Sequence, residues 1–251
     1  MSRRRKMDTG TLSIREKAYL HIQQQIANGK LAAGSGVSEL SLAKQLGSSR
    51  SPIREAMNQL AAEGLLEQNS GGGMLVAQLK RGDIIELYDM REALEVYSVG
   101  KIAELPLQPA DKDRLQHLVD QITQLKTELE RSRETALNDA QMQIFLSADF
   151  EFHALLMSMT ENSRIQKVVS ETRLLIQIFS LHRRVHDVPL LESIRQYHQQ
   201  VLDAVASGDK WLAMRYLAEH IQASKREQLN GFDEWRRESA LRENVPALFG
   251  S

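Results

Sequence analysis

The apolar positions change their period along the chain. Up to about residue 80 they form short runs broken by glycine, and beyond that point they recur at helical spacing for long stretches. Ser13-Ile14-Arg15-Glu16 has the spacing of a capping box, in which hydroxyl and carboxylate satisfy each other's backbone amides. The helix it opens carries Ala18, Ile22 and Ile26 on one face and stops at Gly29. Ser38 caps a second helix through Leu40 and Leu42, ending at Gly47. Ser51 caps a third, with Pro52 at the first helical position, where a missing N–H is harmless. Ile53, Met57, Leu60 and Ala61 give it an apolar face up to Gly64. Residues 65–68 and 74–77 read as two strands joined by a flexible turn at 69–73.

The second part reads as about six helices, spanning roughly 83–104, 110–131, 136–160, 163–183, 190–206 and 209–228. Ten of the 14 glycines lie at or before Gly82, residues 101–207 contain none, and no proline falls between Pro109 and Pro189. Since glycine and proline punctuate turns, short elements belong to the front and long helices to the back. The fold expected is mainly α, a winged helix-turn-helix followed by an all-α helical bundle. Its parts are a basic tail at 1–10, a small domain at 11–79, a linker at Lys80-Arg81-Gly82, a helical domain at 83–228 and a polar tail at 229–251.

Composition narrows the field. Apolar residues make up 42% of the 251 and charged residues 26%, as in ordinary globular chains. With no cysteine, disulfides, thiolate nucleophiles and thiolate-held metals are excluded. No apolar run approaches the 18 or so residues of a membrane span, and Met-Ser-Arg-Arg-Arg-Lys lacks the apolar segment of a secretory signal, so the cytoplasm is the expected location. The net charge of −1 hides an asymmetry. Residues 1–80 hold 11 Lys and Arg against 6 Asp and Glu, or +5, which leaves 21 against 27, or −6, for the rest. A polyanion would meet the front.

Two short helices, a tight turn and a hairpin are the parts of a winged helix-turn-helix, which sets its second helix in the major groove of double-stranded DNA. Arg50 and Arg54 stand at the groove-facing start of that helix. A guanidinium there pairs bidentately with a guanine edge or clamps a phosphate. Ser49, Ser51 and Pro52 share the same turn, and Lys44 is a phosphate contact. Gly71-Gly72-Gly73, lacking side chains, allows close backbone approach, and Arg3-Arg4-Arg5-Lys6 reads as a solvated tail or a minor-groove arm. With these residues, Gly29-Lys30-Leu31, Leu42-Ala43, Leu46-Gly47, Ser49-Arg50, Pro52-Ile53-Arg54-Glu55-Ala56 and Glu63-Gly64-Leu65 resemble the DNA-binding domain of the GntR family of bacterial transcription regulators. The resemblance implies operator contacts at Arg50 and Arg54 and a glycine wing at the minor groove. The wing departs from the family in having no Arg or Lys beside its glycines.

The helical part holds polar residues where apolar ones are expected. Asp149 and His153 are four apart, on a helix face shared with Phe145, Phe152 and Leu156. His198 interrupts the stripe Ile194, Val201, Leu202, Val205, and His220 the stripe Ala213, Leu217, Ile221. A carboxylate on such a face is costly unless paired or metal-bound. His198 and His220 lie ten and twelve residues from Gly208, at similar heights on two antiparallel helices. One oxygen and three imidazole nitrogens suit one divalent ion per chain: zinc first, then nickel, manganese or iron(II). A rival pair, His182 and His186, sits beside Arg183-Arg184 and reads as a solvated face.

Asp83, Leu87, Arg91, Leu94-Glu95, Asp149, Phe152-His153, Asn162, His198, Gly208-Asp209, Ala213 and His220 resemble the FCD ligand-binding domain of the FadR-like branch of that family. The resemblance implies Asp149, His153, His198 and His220 as metal ligands, a small-molecule effector such as an organic acid, and a homodimer. Arg91, on a face with Ile84, Leu87 and Tyr88, is the candidate anchor for the acid, with Glu95 at i+4 as its competing partner. Arg173 is the second candidate. The reading is therefore a DNA-binding, effector-responsive regulator without catalysis. Two alternatives stand beside it: a metal-dependent hydrolase with an appended DNA-binding domain, and a regulator with a purely structural metal. A hydrolase needs a base near metal-bound water. His-Glu-x-x-His is absent, and Glu151 and Glu219 are turned off the ligand face.

Overall fold

The structure is a computed structural model, and it describes residues 12–27, 30–180 and 186–243. The basic arm, the helix stop at Gly29 and His182 lie outside the described residues. The chain divides into two compact units, Met1–Gln78 and Leu79–Ser251.

In the first unit α1 (Ile14–Ala27), β1 (Gly36–Val37), α2 (Glu39–Gln45), α3 (Arg50–Ala62), β2 (Leu66–Gln68) and β3 (Met74–Val76) follow in order. The capping box opens α1 as expected, with Glu16 N 3.2 Å from Ser13 Oγ and Ser13 N 2.8 Å from Glu16 Oε2. Ile22, Ile53, Met57 and Leu60 fill the centre with almost no exposure. The expected hairpin is a three-stranded antiparallel sheet in the order β1-β3-β2, with Val37 opposite Met74 and Leu66 opposite Val76. Two residues of β1 are too few for alternation to be visible in sequence. The third helix starts earlier than expected. Ser49, not Ser51, is its N-cap, so Pro52 falls at the third helical position, where no intrahelical N–H bond is lost.

The second unit holds α4 (Arg81–Arg91), a π-helical turn (Glu92–Val96), α5 (Tyr97–Ile102), α6 (Pro109–Arg131), α7 (Asp139–Ser158), α8 (Ser163–Ser180), α9 (Val188–Ala206) and α10 (Lys210–Glu243). Two expectations are corrected here. Residues 80–82 are not a separate linker, because Lys80 N donates to Asp83 Oδ2 at 2.7 Å and α4 begins at Arg81. The last helix does not stop at 228. Leu229 and buried Phe232 extend its apolar stripe, and Arg81 Nε lies 3.1 Å from Asp233 Oδ1. Helix α9 packs between α6 and α10, and α7 between α6 and α8, while α4 touches α8 and α10. Their facing residues, among them Tyr88, Leu115, Ile122, Phe152 and Leu156, make a continuous core. Among the described residues no helix is long and apolar enough to cross a membrane.

Candidate metal centre and nucleic-acid interface

Three helices converge on one buried point. Helix α7 supplies Asp149 and His153 from one face, α9 supplies His198 and α10 supplies His220. Gly208, at φ +75° just past the end of α9, takes the left-handed conformation that lets the chain turn back into α10. Each of the four residues offers a ligand atom within 4.8 Å of the others. The three imidazole rings lie with centroids 4.9 to 5.3 Å apart. Phe152 stacks flat on His198 at 4.1 Å and fixes that ring.

The donor set fits a divalent metal. His153 Nε2, His198 Nδ1 and Nε2, and His220 Nδ1 are buried without a hydrogen-bond partner. Asp149 Oδ1 reaches only to 3.5 Å from His198 Nε2. Leaving one such atom unsatisfied costs about 1–3 kcal/mol, and a shared cation would remove the cost from one nitrogen of each ring together. Burial pushes His198 down to about 3 and holds His153 and His220 below the ordinary histidine range, so all three are neutral ligands at pH 7. Burial alone would raise the Asp149 carboxyl. The Arg173 guanidinium, with Nη2 2.6 Å from Oδ2, and the three neighbouring histidines together outweigh it and keep the group ionised.

A second layer surrounds these ligands. Glu95, fully buried in the π-helical turn, receives Arg91 Nε at 2.7 Å and lies 2.6 Å from His153 Nδ1. Arg91, Arg173 and His153 overcome the burial that would raise Glu95 and hold it well below the carboxylate range. Sequence reasoning paired Glu95 with Arg91 but missed its bond to His153. Nothing local announces a contact across 58 residues.

Beside the cluster lies a partly open pocket, bordered by Arg91, Asp149, Arg173 and His220. His186, expected on a solvated face, is instead buried against Phe145, with ring centroids 4.7 Å apart, and lines this cavity. Glu151, hydrogen-bonded to Ser147, and Glu219 are exposed.

In the first unit Lys44, Ser49, Arg50, Ser51 and Arg54 are exposed together around the start of α3, with Pro52 half-buried. Glu39, the first residue of α2, holds both arginines. Arg54 Nε and Nη2 each lie 2.9 Å from its carboxylate, and Arg50 Nη2 lies 3.2 Å away. The exposed wing tip turns at Gly72 and Gly73, whose φ values of +86° and +93° strain any other residue.

Residues 86–223 match the FCD domain, and residues 14–76 match the family described as bacterial regulatory proteins, gntR family. A probable D-xylose utilization operon transcriptional repressor of Paenarthrobacter nicotinovorans is 29% identical over 202 residues, covering 80% of this chain and 83% of that one. An uncharacterized HTH-type transcriptional regulator, YdhC, of Bacillus subtilis (strain 168) is 28% identical over 203 residues, covering 81% and 85%. The solved structure of E. coli McbR/YncC superposes with a TM-score of 0.71 at 20% identity, over 88% of this chain and 100% of the other, a likeness of fold.

Proposed function

The chain belongs to the GntR family of DNA-binding transcription regulators, with an N-terminal GntR domain and a C-terminal FCD domain, and from this premise we propose that a small organic acid, bound beside a divalent metal in the helical unit, sets its affinity for operator DNA. Asp149, His153, His198 and His220 hold the ion, which supplies a Lewis-acidic centre that draws a carboxylate oxygen. The observation that carries the reading is the cavity, which borders two of these ligands and two arginines at once.

Of the two arginines, Arg173 is the better anchor. Its Nη2 is used by the Asp149 carbonyl at 3.2 Å and carboxylate at 2.6 Å. Its Nε and Nη1 are buried without a hydrogen-bond partner, Nη1 lying 3.7 Å from Glu95 Oε1, and a bound carboxylate would satisfy one of them. Arg91 keeps its Nε on Glu95, the intrahelical partner weighed against the acid from sequence, and also borders the cavity.

Arg50 and Arg54 read the operator, Lys44, Ser49, Ser51 and the start of α3 at Pro52 seat it on phosphates, and the Gly71-Gly72-Gly73 tip approaches the minor groove. The regulator acts as a homodimer, one DNA-binding domain on each half-site. Helix α4 runs from Arg81, close to the junction of the units, to Arg91 at the cavity, so a ligand that moves Arg91 moves that helix. Whatever free energy the acid adds to or takes from DNA binding, DNA returns to acid binding. Calorimetry of acid binding to metal-loaded and chelated protein, with operator affinity by fluorescence anisotropy, tests this. The acid binds the metal-loaded form and shifts operator affinity. Equal acid affinity in both forms would leave the metal a structural role only.

A further inference from the structure

We infer that the acid taken by this site is a monocarboxylate with an apolar tail, not a polyhydroxylated sugar acid; this rests on the effector reading above and narrows its ligand class. The cavity has two chemically different ends. Asp149, Arg173, Arg91 and His220 form the charged end, with the Ser224 hydroxyl one helical turn beyond His220.

Going back along α7 from Asp149, the residues on the cavity wall are Leu146, Phe145 and Met142. Seven residues of helix carry this wall about 10 Å from the charged end. Helix α8 repeats the change. Arg173 touches Asp149, and one turn on, Ile176 lines the wall. Since residues 159–162 are only a short connection, α8 runs antiparallel to α7 and Ile176 falls toward Leu146. The ring of His186 closes this end by lying against Phe145.

A carboxylate at Arg173 therefore points the rest of its molecule along Leu146, Phe145, Met142 and Ile176. An alkyl chain or a single ring gains from that surface. Among the described residues a polyol there finds the His186 ring as the one polar side chain in a wall of apolar ones, and each hydroxyl left without a partner weakens binding roughly 5- to 150-fold. Every methylene buried tightens it roughly three- to fourfold.

The test is calorimetry of the metal-loaded full chain with sodium acetate, butyrate, hexanoate and gluconate. Affinity rises along the alkanoate series, hexanoate binding roughly 80- to 250-fold tighter than acetate, and gluconate binds more weakly than hexanoate. In Leu146→Asn the series flattens, the hexanoate-to-acetate affinity ratio falling towards one. Gluconate binding tighter than hexanoate, or a flat series in the wild-type protein, overturns the inference and leaves the effector reading standing. Failure of all four acids to bind sinks the effector reading, and the inference with it.

Discussion

Glu95 Oε2 lies 2.6 Å from His153 Nδ1, and both side chains are fully buried. An ionised carboxylate accepts only, so the imidazole must donate from Nδ1. That leaves the Nε2 lone pair facing the other ligands. Glu95 thus fixes the tautomer and orientation of His153, and it also holds Arg91. Glu95→Gln is expected to weaken metal binding about 10- to 100-fold, measured by competition with a chelating indicator. Glu95→Ala, which strips the buried Arg91 of its counter-charge, should lower unfolding stability by about 3–5 kcal/mol. Wild-type metal affinity in the Gln variant would remove Glu95 from the site.

The four ligands make a second, independent expectation. Elemental analysis should find one divalent ion per chain in the wild type and close to none in His198→Ala or His220→Ala. Zinc at about a hundred times its dissociation constant should stabilise the wild-type protein by about 2.7 kcal/mol and leave the variants unchanged. Full occupancy in both variants would refute the assignment.

On the DNA face, Arg50→Ala and Arg54→Ala should each cost about 1–3 kcal/mol of operator affinity while leaving the fold intact. Glu39 adds a further expectation. Its carboxylate engages both guanidiniums, so a phosphate must compete with it for either one. Glu39→Gln should strengthen binding to non-operator DNA and steepen its salt dependence by about one unit of log–log slope. Gel shifts on operator and scrambled duplexes at several salt concentrations measure this. An unchanged ratio between the two duplexes would show that Glu39 plays no part in discrimination.

The extension of α10 makes a structural expectation. Phe232 is 6% exposed and joins the core of the helical unit. Phe232→Ala should reduce stability by about 3 kcal/mol in denaturant titration, and a chain cut after residue 228 should lose at least as much. No change in the midpoint would mean that this part of α10 contributes nothing to the core.

The cluster of Asp149, His153, His198 and His220 was legible because each breaks an apolar stripe, and the Gly208 turn fixes the relative heights of His198 and His220 on their helices. The GntR-type front was legible because caps, proline and glycine are local signals. What escaped depends on long-range contact. The Glu95 bond to His153 and the Glu39 grip on Arg54 join residues whose own neighbours give no hint of the pairing. Ser49 and Ser51 are chemically equal caps, so only the packed helix chooses between them. Past residue 228 the apolar stripe thins to Leu229 and Phe232 amid charge, too sparse to read as a helix on its own.

The π-helical turn at Glu92–Val96 amounts to one extra residue wound into an otherwise α-helical segment. An α-helix advances about 100° per residue, so deleting a residue here would leave a good helix but rotate everything before it against everything after it. Ile84, Tyr88 and Arg91 on one side and Val99 and Ile102 on the other are all buried, and they could not all stay so. Packing therefore constrains the number of residues in this stretch in a way no single side chain reveals. An insertion or deletion that most helices would absorb at their ends would here dismantle the arginine, the carboxylate and the histidine in one step.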